Sequence, residues 1–181
     1  PKYFSTSAIK LKNYFEKPAA FLDRDGVINF DSGYVHKKKD FKFRNGVIKG
    51  LKYLIKKNFY IFIVTNQAGI AKGKYSESDF KKLHMYLKNN LSSKNIYIDD
   101  VQYCPYHPNG KIKRYRKKTS LRKPGNQMIK NILKKWLVNK RRSFMIGDKD
   151  SDKKCAKKSD LLFSYTKNDF YKQIKNHLDK S

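Results

Sequence analysis

Two carboxylates one residue apart interrupt an apolar run at Phe21-Leu22-Asp23-Arg24-Asp25-Gly26-Val27-Ile28-Asn29. An apolar strand that ends in such a loop delivers it to a sheet edge, where open α/β sheets bind their ligands. There the two acids can divide labour, one attacking or holding a metal while the other moves protons. Asp-x-Asp-Gly also occurs in turns and calcium loops, so the cluster gains weight only with company. Three more polar clusters supply it. Thr65-Asn66-Gln67 directly follows the apolar run 60–64, and a hydroxyl beside an amide at a strand end suits a phosphoryl oxygen. Arg122-Lys123-Pro124 opens the amphipathic stretch Met128, Ile129, Ile132, Leu133, Trp136. Gly147-Asp148-Lys149-Asp150-Ser151-Asp152 follows Ser143-Phe144-Met145-Ile146.

The elements that must position these clusters alternate between apolar runs and amphipathic stretches, which predicts βα repeats and an α/β fold with a mainly parallel sheet flanked by helices. Strands are expected at 19–22, 60–64, 97–103, 143–146 and 161–165. Val47, Leu51, Leu54 and Ile55 have the spacing of one buried helical stripe. A second helix starts at Ser76, whose hydroxyl and Asp79 form a capping box, and it buries Phe80, Leu83 and Leu87. Further helices are expected at 128–137, around 153–158, and at 169–178 with Phe170, Ile174 and Leu178 inward. Residues 1–17 are read as an N-terminal extension, with a helix over 9–15, and 18–181 as one domain.

Asp-x-Asp, then Thr, then Lys, then Gly-Asp-x-x-x-Asp is the motif order of the haloacid-dehalogenase (HAD) superfamily of phosphotransferases, which the chain resembles from about Pro18 to about Tyr165. Within it, residues 23–29, Gly33-Tyr34-Val35-His36, residues 65–73, Cys104-Pro105-Tyr106-His107-Pro108 and Arg122-Lys123-Pro124 look like the D-glycero-D-manno-heptose 1,7-bisphosphate phosphatases. Histidinol-phosphate phosphatases share much of this wording. The resemblance implies a Rossmann-like HAD fold. Many HAD enzymes also carry a cap domain, but Asp23 and Thr65 are only 42 positions apart and the loop 111–120 is short and polar, so this chain is expected to be capless.

The resemblance also implies roles. Asp23 attacks phosphorus to give an aspartyl phosphate, while Asp25 protonates the leaving oxygen and then deprotonates the water that cleaves the intermediate. Asp23, Asp148 and the Asp25 main-chain carbonyl hold Mg²⁺, a cation that prefers octahedral oxygen ligands. Thr65 donates its hydroxyl to a phosphoryl oxygen and Lys123 sets a point charge against the same group. Asp31, Ser32, Gly33 and Tyr34, together with Asn66, Gln67 and Ala68, line the substrate, and Arg122 and Lys149 take part in its recognition. Asp152 is expected to order the acidic loop and Asn29 to support the first one. Asp150 reads as a solvated or capping acid, His36 as loop structure, His84 as packing or surface, and Tyr103 and Trp136 as core.

The chain departs from its family at one place. Many relatives carry Cys-x-His and then Cys-x-Cys before Arg-Lys, a four-ligand structural zinc site. Here Cys104 is retained, but Tyr106, Thr119 and Leu121 stand at the other three positions. One Cys with His107 cannot close a tetrahedral site, so no structural zinc is expected.

At 181 residues the chain can bury about 70% of its unfolded surface as one domain. Its 43 Lys and Arg against 15 Asp and Glu give a formal charge of +28. The lysines are spread almost evenly rather than gathered in one stripe with aromatics, so they read as solvated surface without a dedicated nucleic-acid partner. Their field should still speed encounter with phosphorylated substrates. Two cysteines fit a reducing cytoplasm, and no apolar run approaches the length of a membrane span. The expected activity is a Mg²⁺-dependent phosphatase, a monomer, that removes the 7-phosphate of a small phosphorylated sugar, heptose 1,7-bisphosphate, in nucleotide-heptose and surface-polysaccharide synthesis. Arg122, Lys72 and Lys74 are available for the phosphate that stays. Histidinol phosphate and nucleic-acid 3′-phosphate ends are the alternative substrates, and a non-enzymatic basic binding protein is the alternative class.

Overall fold

The computed structural model describes residues 16–179, so the expected helix over 9–15 lies outside the described residues. Lys17, placed in the N-terminal extension by the sequence, is already tied to the body: its N–H donates to Leu137 O and its carbonyl accepts from Asn139 N. Five strands form one sheet: β1 (Ala19–Leu22), β2 (Tyr60–Asn66), β3 (Asp100–Cys104), β4 (Phe144–Gly147) and β5 (Leu162–Tyr165). All neighbours pair in parallel, in the order β3-β2-β1-β4-β5. The helices are α1 (Val47–Lys56), the short α2 (Ala68–Ala71), α3 (Glu77–Ser92), α4 (Gln127–Leu133), α5 (Asp150–Lys157) and α6 (Phe170–Leu178).

Side chains of a strand alternate between faces, and the central strands are apolar on both because helices cover both. Ala20 and Leu22, Ile61 and Ile63, and Phe144 and Ile146 point into a core shared with α1, α3 and α6. Ala19 and Phe21, Tyr60, Phe62 and Val64, and Met145 point the other way, onto α4 and α5. The chain runs outward from β1 to β3, then returns to lay β4 on the other side of β1. That reversal is a topological switch point, where the loops that follow neighbouring strands diverge and leave a crevice. Between β1 and β2 stand only a loop, one 3-10 turn and α1.

Four expectations need correcting. Ile55 is 41% exposed, because the buried stripe of α1 ends at Leu54. The third strand begins at Asp100 rather than 97: the chain leaves α3 through a left-handed turn at Asn95, Tyr97 stays exposed, and contact with β2 resumes only where Asp99 N–H donates to Ile61 O. Helix α4 stops at Leu133, so Trp136 reaches the core from a following turn, where its indole N–H donates to Asp100. The acidic cluster starts α5 at Asp150, earlier than expected, because the Asp152 carboxylate accepts from Lys149 N–H and caps its first turn.

Candidate active site

The four polar clusters converge at the C-terminal ends of β1, β2 and β4, around a cleft of about 310 Å³. Asp23 leaves β1 with its N–H donating to Ile146 O, so the strand pairing itself sets where the carboxylate stands. The loop closes immediately, with the N–H groups of Ile28 and Asn29 both donating to Arg24 O and Gly26 N–H to Asn29 O. Gly26 has φ +82°, and a Cβ there would lie 2.5 Å from Asp148 Oδ2. Only glycine allows the two acidic loops to come this close.

Lys123 is 2% exposed and surrounded by oxygen: Asp152 Oδ1 at 2.6 Å, Val64 O at 2.8 Å and Asp23 Oδ1 at 3.1 Å. Asn66 holds this lysine's backbone from both sides, its Nδ2 donating to Lys123 O and its Oδ1 accepting from Lys123 N, each at 3.0 Å. Burial pushes the Asp23 carboxyl up to about 6, against the pull of Lys123, with Asp152, Asp25 and Asp148 adding to the rise. Burial works against the charge on Lys123, but Asp23 and Asp152 outweigh it and hold the ammonium above its ordinary value. The contacts of Asp23 fall on Oδ1, which also accepts from Arg24 N–H at 2.7 Å. Asp23 lines the cleft, and no donor among the described residues falls on its Oδ2.

Asp25 is gripped from three sides. Arg24 donates to both its oxygens, Asn29 Nδ2 to Oδ1 at 2.9 Å and Gln67 Nε2 to Oδ2 at 3.0 Å. Thr65, at 1% exposure, accepts from Gln67 Nε2 at 2.9 Å. Lys149 lies on the rim with its ammonium 3.3 Å from Asp31 and 3.6 Å from Asp148. Lys72 donates to the Tyr34 hydroxyl at 3.0 Å, and Tyr34 adopts the left-handed region at φ +54°.

Asp23, Asp148 and Asp152 offer ligand atoms within 4.8 Å of one another, the one such His/Cys/Asp/Glu group among the described residues. Asp152 is committed to Lys123 and to the α5 cap. Asp148 Oδ1, in contrast, is buried with no hydrogen-bond partner, and burial raises the pKa of its carboxyl despite Lys149. A free buried carboxylate oxygen beside the open oxygen of Asp23 fits a divalent cation and costs free energy without one.

Asp23, Asp25, Asp31, Gly33, Tyr34, Asn66, Ala68, Arg122, Lys123 and Lys149 all line the cleft. Thr65 and Gln67 lie just behind its wall, and Ser32 is exposed on the same loop without lining it. Asn29 supports Asp25 directly. The sequence reading missed Gly69, Tyr75, Ser151 and the contact of Asp152 with Lys123. Spacing four residues beyond Asp148 on a helix was the available signal for Asp152. Nothing local marked Tyr75.

A family model described as polynucleotide kinase 3 phosphatase matches residues 19–177. A D-glycero-β-D-manno-heptose-1,7-bisphosphate 7-phosphatase of Rhodopseudomonas palustris is 43% identical over 141 residues, 78% of either chain. The D-glycero-α-D-manno-heptose-1,7-bisphosphate 7-phosphatase of Photorhabdus laumondii is 42% identical over 133 residues, 74% of this chain and 73% of that one. The crystal structure of the D,D-heptose 1,7-bisphosphate phosphatase from B. bronchiseptica, complexed with magnesium and phosphate, superposes with a TM-score of 0.79 at 19% identity, covering 92% of this chain and all of that one. Sequence kinship of this extent, on a fold those enzymes share, makes the chain a phosphatase that belongs to the heptose-1,7-bisphosphate 7-phosphatase family of the HAD superfamily.

Proposed function

We propose that the chain removes the 7-phosphate of D-glycero-D-manno-heptose 1,7-bisphosphate by way of an aspartyl phosphate on Asp23, with Mg²⁺ as cofactor. The observation that carries the mechanism is that Asp23 lines a cleft with Arg122, Lys123 and Lys149 while its donors fall on Oδ1, leaving Oδ2 without one among the described residues. Asp23, Asp148 and the Asp25 carbonyl would hold Mg²⁺, whose charge neutralises the phosphoryl oxygens and lets a carboxylate approach them. Asp23 Oδ2 forms a bond to phosphorus while the bond to the sugar oxygen breaks, and that oxygen takes a proton from Asp25. Asp25 then removes a proton from a water, which attacks phosphorus and releases inorganic phosphate and free Asp23. Lys123 keeps Asp23 in place and stabilises charge on the phosphoryl group. Arg122 and Lys149, which line the cleft, and Lys72, which donates to the Tyr34 hydroxyl beside it, would hold the phosphate that stays.

The family model's description favours a second substrate, a 3′-phosphate end of nucleic acid. Base recognition on single strands rests on aromatic platforms. Of the tyrosines that line the cleft, Tyr34 is exposed while Tyr75 is buried with its ring stacked on His36, and Tyr115, buried with its hydroxyl on Glu77, does not line it. Specificity constants for both anomers of the heptose bisphosphate, histidinol phosphate and a 3′-phosphorylated oligonucleotide test the assignment. The heptose should win, and preference for either rival overturns the substrate but not the chemistry.

The reading includes a 105–121 segment held without zinc. Cys104 Sγ donates to Tyr106 O, Thr119 Oγ1 accepts from Leu121 N–H, and Leu121 packs against the core that contains Cys104. Elemental analysis of the purified protein should find no stoichiometric zinc, and one tightly bound zinc per chain refutes this part.

A further inference from the structure

We propose that Tyr75 is a positioning residue: its hydroxyl fixes the Gln67 amide, and the amide fixes both the proton direction at Thr65 and the carboxylate of Asp25. The inference rests on the phosphatase reading of the site, in which Thr65 and Asp25 act on the phosphoryl group and the leaving oxygen.

Gln67 is 1% exposed and every position of its amide is used. Oε1 accepts from Tyr75 Oη at 2.5 Å and, more weakly, from Arg24 Nη2 at 3.4 Å. Nε2 donates to Asp25 Oδ2 at 3.0 Å and to Thr65 Oγ1 at 2.9 Å. A flipped amide would set its oxygen against a carboxylate and its NH₂ against a guanidinium, so the orientation follows from the neighbours' charges. Thr65 Oγ1 is thereby an acceptor toward Gln67. Its own proton has no acceptor among the described residues and is left for a phosphoryl oxygen. One neutral side chain thus sets a donor for the substrate and one face of the acid-base carboxylate.

Tyr75 is itself held where this requires it. Its ring lies so close to Gly69 that a Cβ there would come within 2.1 Å of it. His36 stacks on its other side, with ring centroids 5.0 Å apart and planes at 11°. Burial pushes the phenol well above its ordinary value, so the hydroxyl stays a donor across any working pH. A hydroxyl fixed by packing and given to a single acceptor is an orienting device, and reacting groups lose rate steeply when misplaced.

The test is a double-mutant cycle with Tyr75→Phe and Gln67→Ala, read as kcat, KM and melting temperature. Tyr75→Phe keeps the ring between Gly69 and His36 and removes one oxygen. It should lower kcat about three- to tenfold with KM unchanged, since the groups it orients act in the transition state. In the Gln67→Ala background the same change should cost nothing further, because the route from Tyr75 to the site is already cut. Wild-type kcat in Tyr75→Phe, or an equal loss in both backgrounds, overturns the proposal. Rates are taken on heptose bisphosphate and on p-nitrophenyl phosphate. If the wild type hydrolyses only the latter, the substrate assignment fails while the cycle still decides the role of Tyr75.

Discussion

The catalytic floor and the 105–121 segment, which runs directly into Arg122 and Lys123, are held together by different physics. The floor is ionic and buried: Lys123 sits among Asp23, Asp152 and Val64 O, and each charge is tolerable only because the others are there. The segment is held by aromatic packing around one partly exposed carboxylate. Glu77 accepts from the hydroxyls of Tyr103 and Tyr115, Tyr106 and Tyr115 pack with centroids 6.0 Å apart, and Lys117 lies over the Tyr106 ring. Hydrogen bonds to backbone carbonyls complete it, with Ile112 N–H donating to Ala71 O and the Arg116 side chain donating from Nε to Gly110 O. A charge in a low-dielectric site must be balanced almost completely, whereas rings and hydroxyls accept many substitutes. The floor should therefore fail abruptly under mutation and the segment by degrees.

The largest expected effect is Asp23→Asn, which should lower kcat by at least about a thousandfold while the protein stays folded, because an amide is no nucleophile. Retained turnover, or turnover in excess EDTA, ends the proposed mechanism. Lys123→Ala strands Asp23 and Asp152 and should cost about 3–5 kcal/mol in denaturant unfolding. A loss below about 1 kcal/mol would show that the floor relaxes as easily as the segment. Gly26→Ala keeps every acid but pushes on Asp148 and forces a side chain to φ +82°, so it should weaken Mg²⁺ binding in calorimetry and cost roughly 1–2 kcal/mol of stability.

On the other side of the comparison, Glu77→Ala should cost about 1–3 kcal/mol and speed amide exchange at His107 and Ile112, leaving the floor protected. The smallest effect is one of pH. Hydrogen bonds from Tyr103 and Tyr115 hold the Glu77 carboxyl below its ordinary value. The stability it contributes is fully present above about 4.5, the ordinary glutamate value, and is lost as pH falls through the lower folded value. Protection factors in the segment, taken relative to the intrinsic exchange rate at each pH, should fall on acidification over that range, and Glu77→Gln should flatten the response. An unchanged acid profile in Glu77→Gln would remove Glu77 from the clamp.

The same contrast explains what could be read from the sequence. Acids at the ends of apolar runs are conspicuous, and Asp23, Asp25 and Asp148 are legible on that ground, whereas Lys123 follows a polar loop and is legible only from its place in the motif order. The capping box at Ser76 and the apolar stripes of α1 and α6 are legible because they depend on local spacing. Tyr75 and Glu77 carry no such mark. Their partners are Gln67, Tyr103 and Tyr115, brought near by packing, and nothing in a neighbouring residue announces it. The start of β3 was misplaced for a related reason, since Ile96 and Ile98 belong to the core without belonging to a strand.

Lys123 differs from the chain's many other lysines in reactivity as well as in place. An ammonium enclosed at 2% exposure and held protonated by two carboxylates is neither reachable nor nucleophilic. Among the described residues, amine-directed acylation should therefore consume the solvated lysines first and leave Lys123 as the last free amine. Lys72 and Lys149, at the mouth, fall between these extremes. Any inactivation by such a reagent would then report on the rim rather than the floor, and a bound substrate should slow it. Most of the +28 could be erased covalently in the presence of substrate, separating the chain's bulk charge from its chemistry.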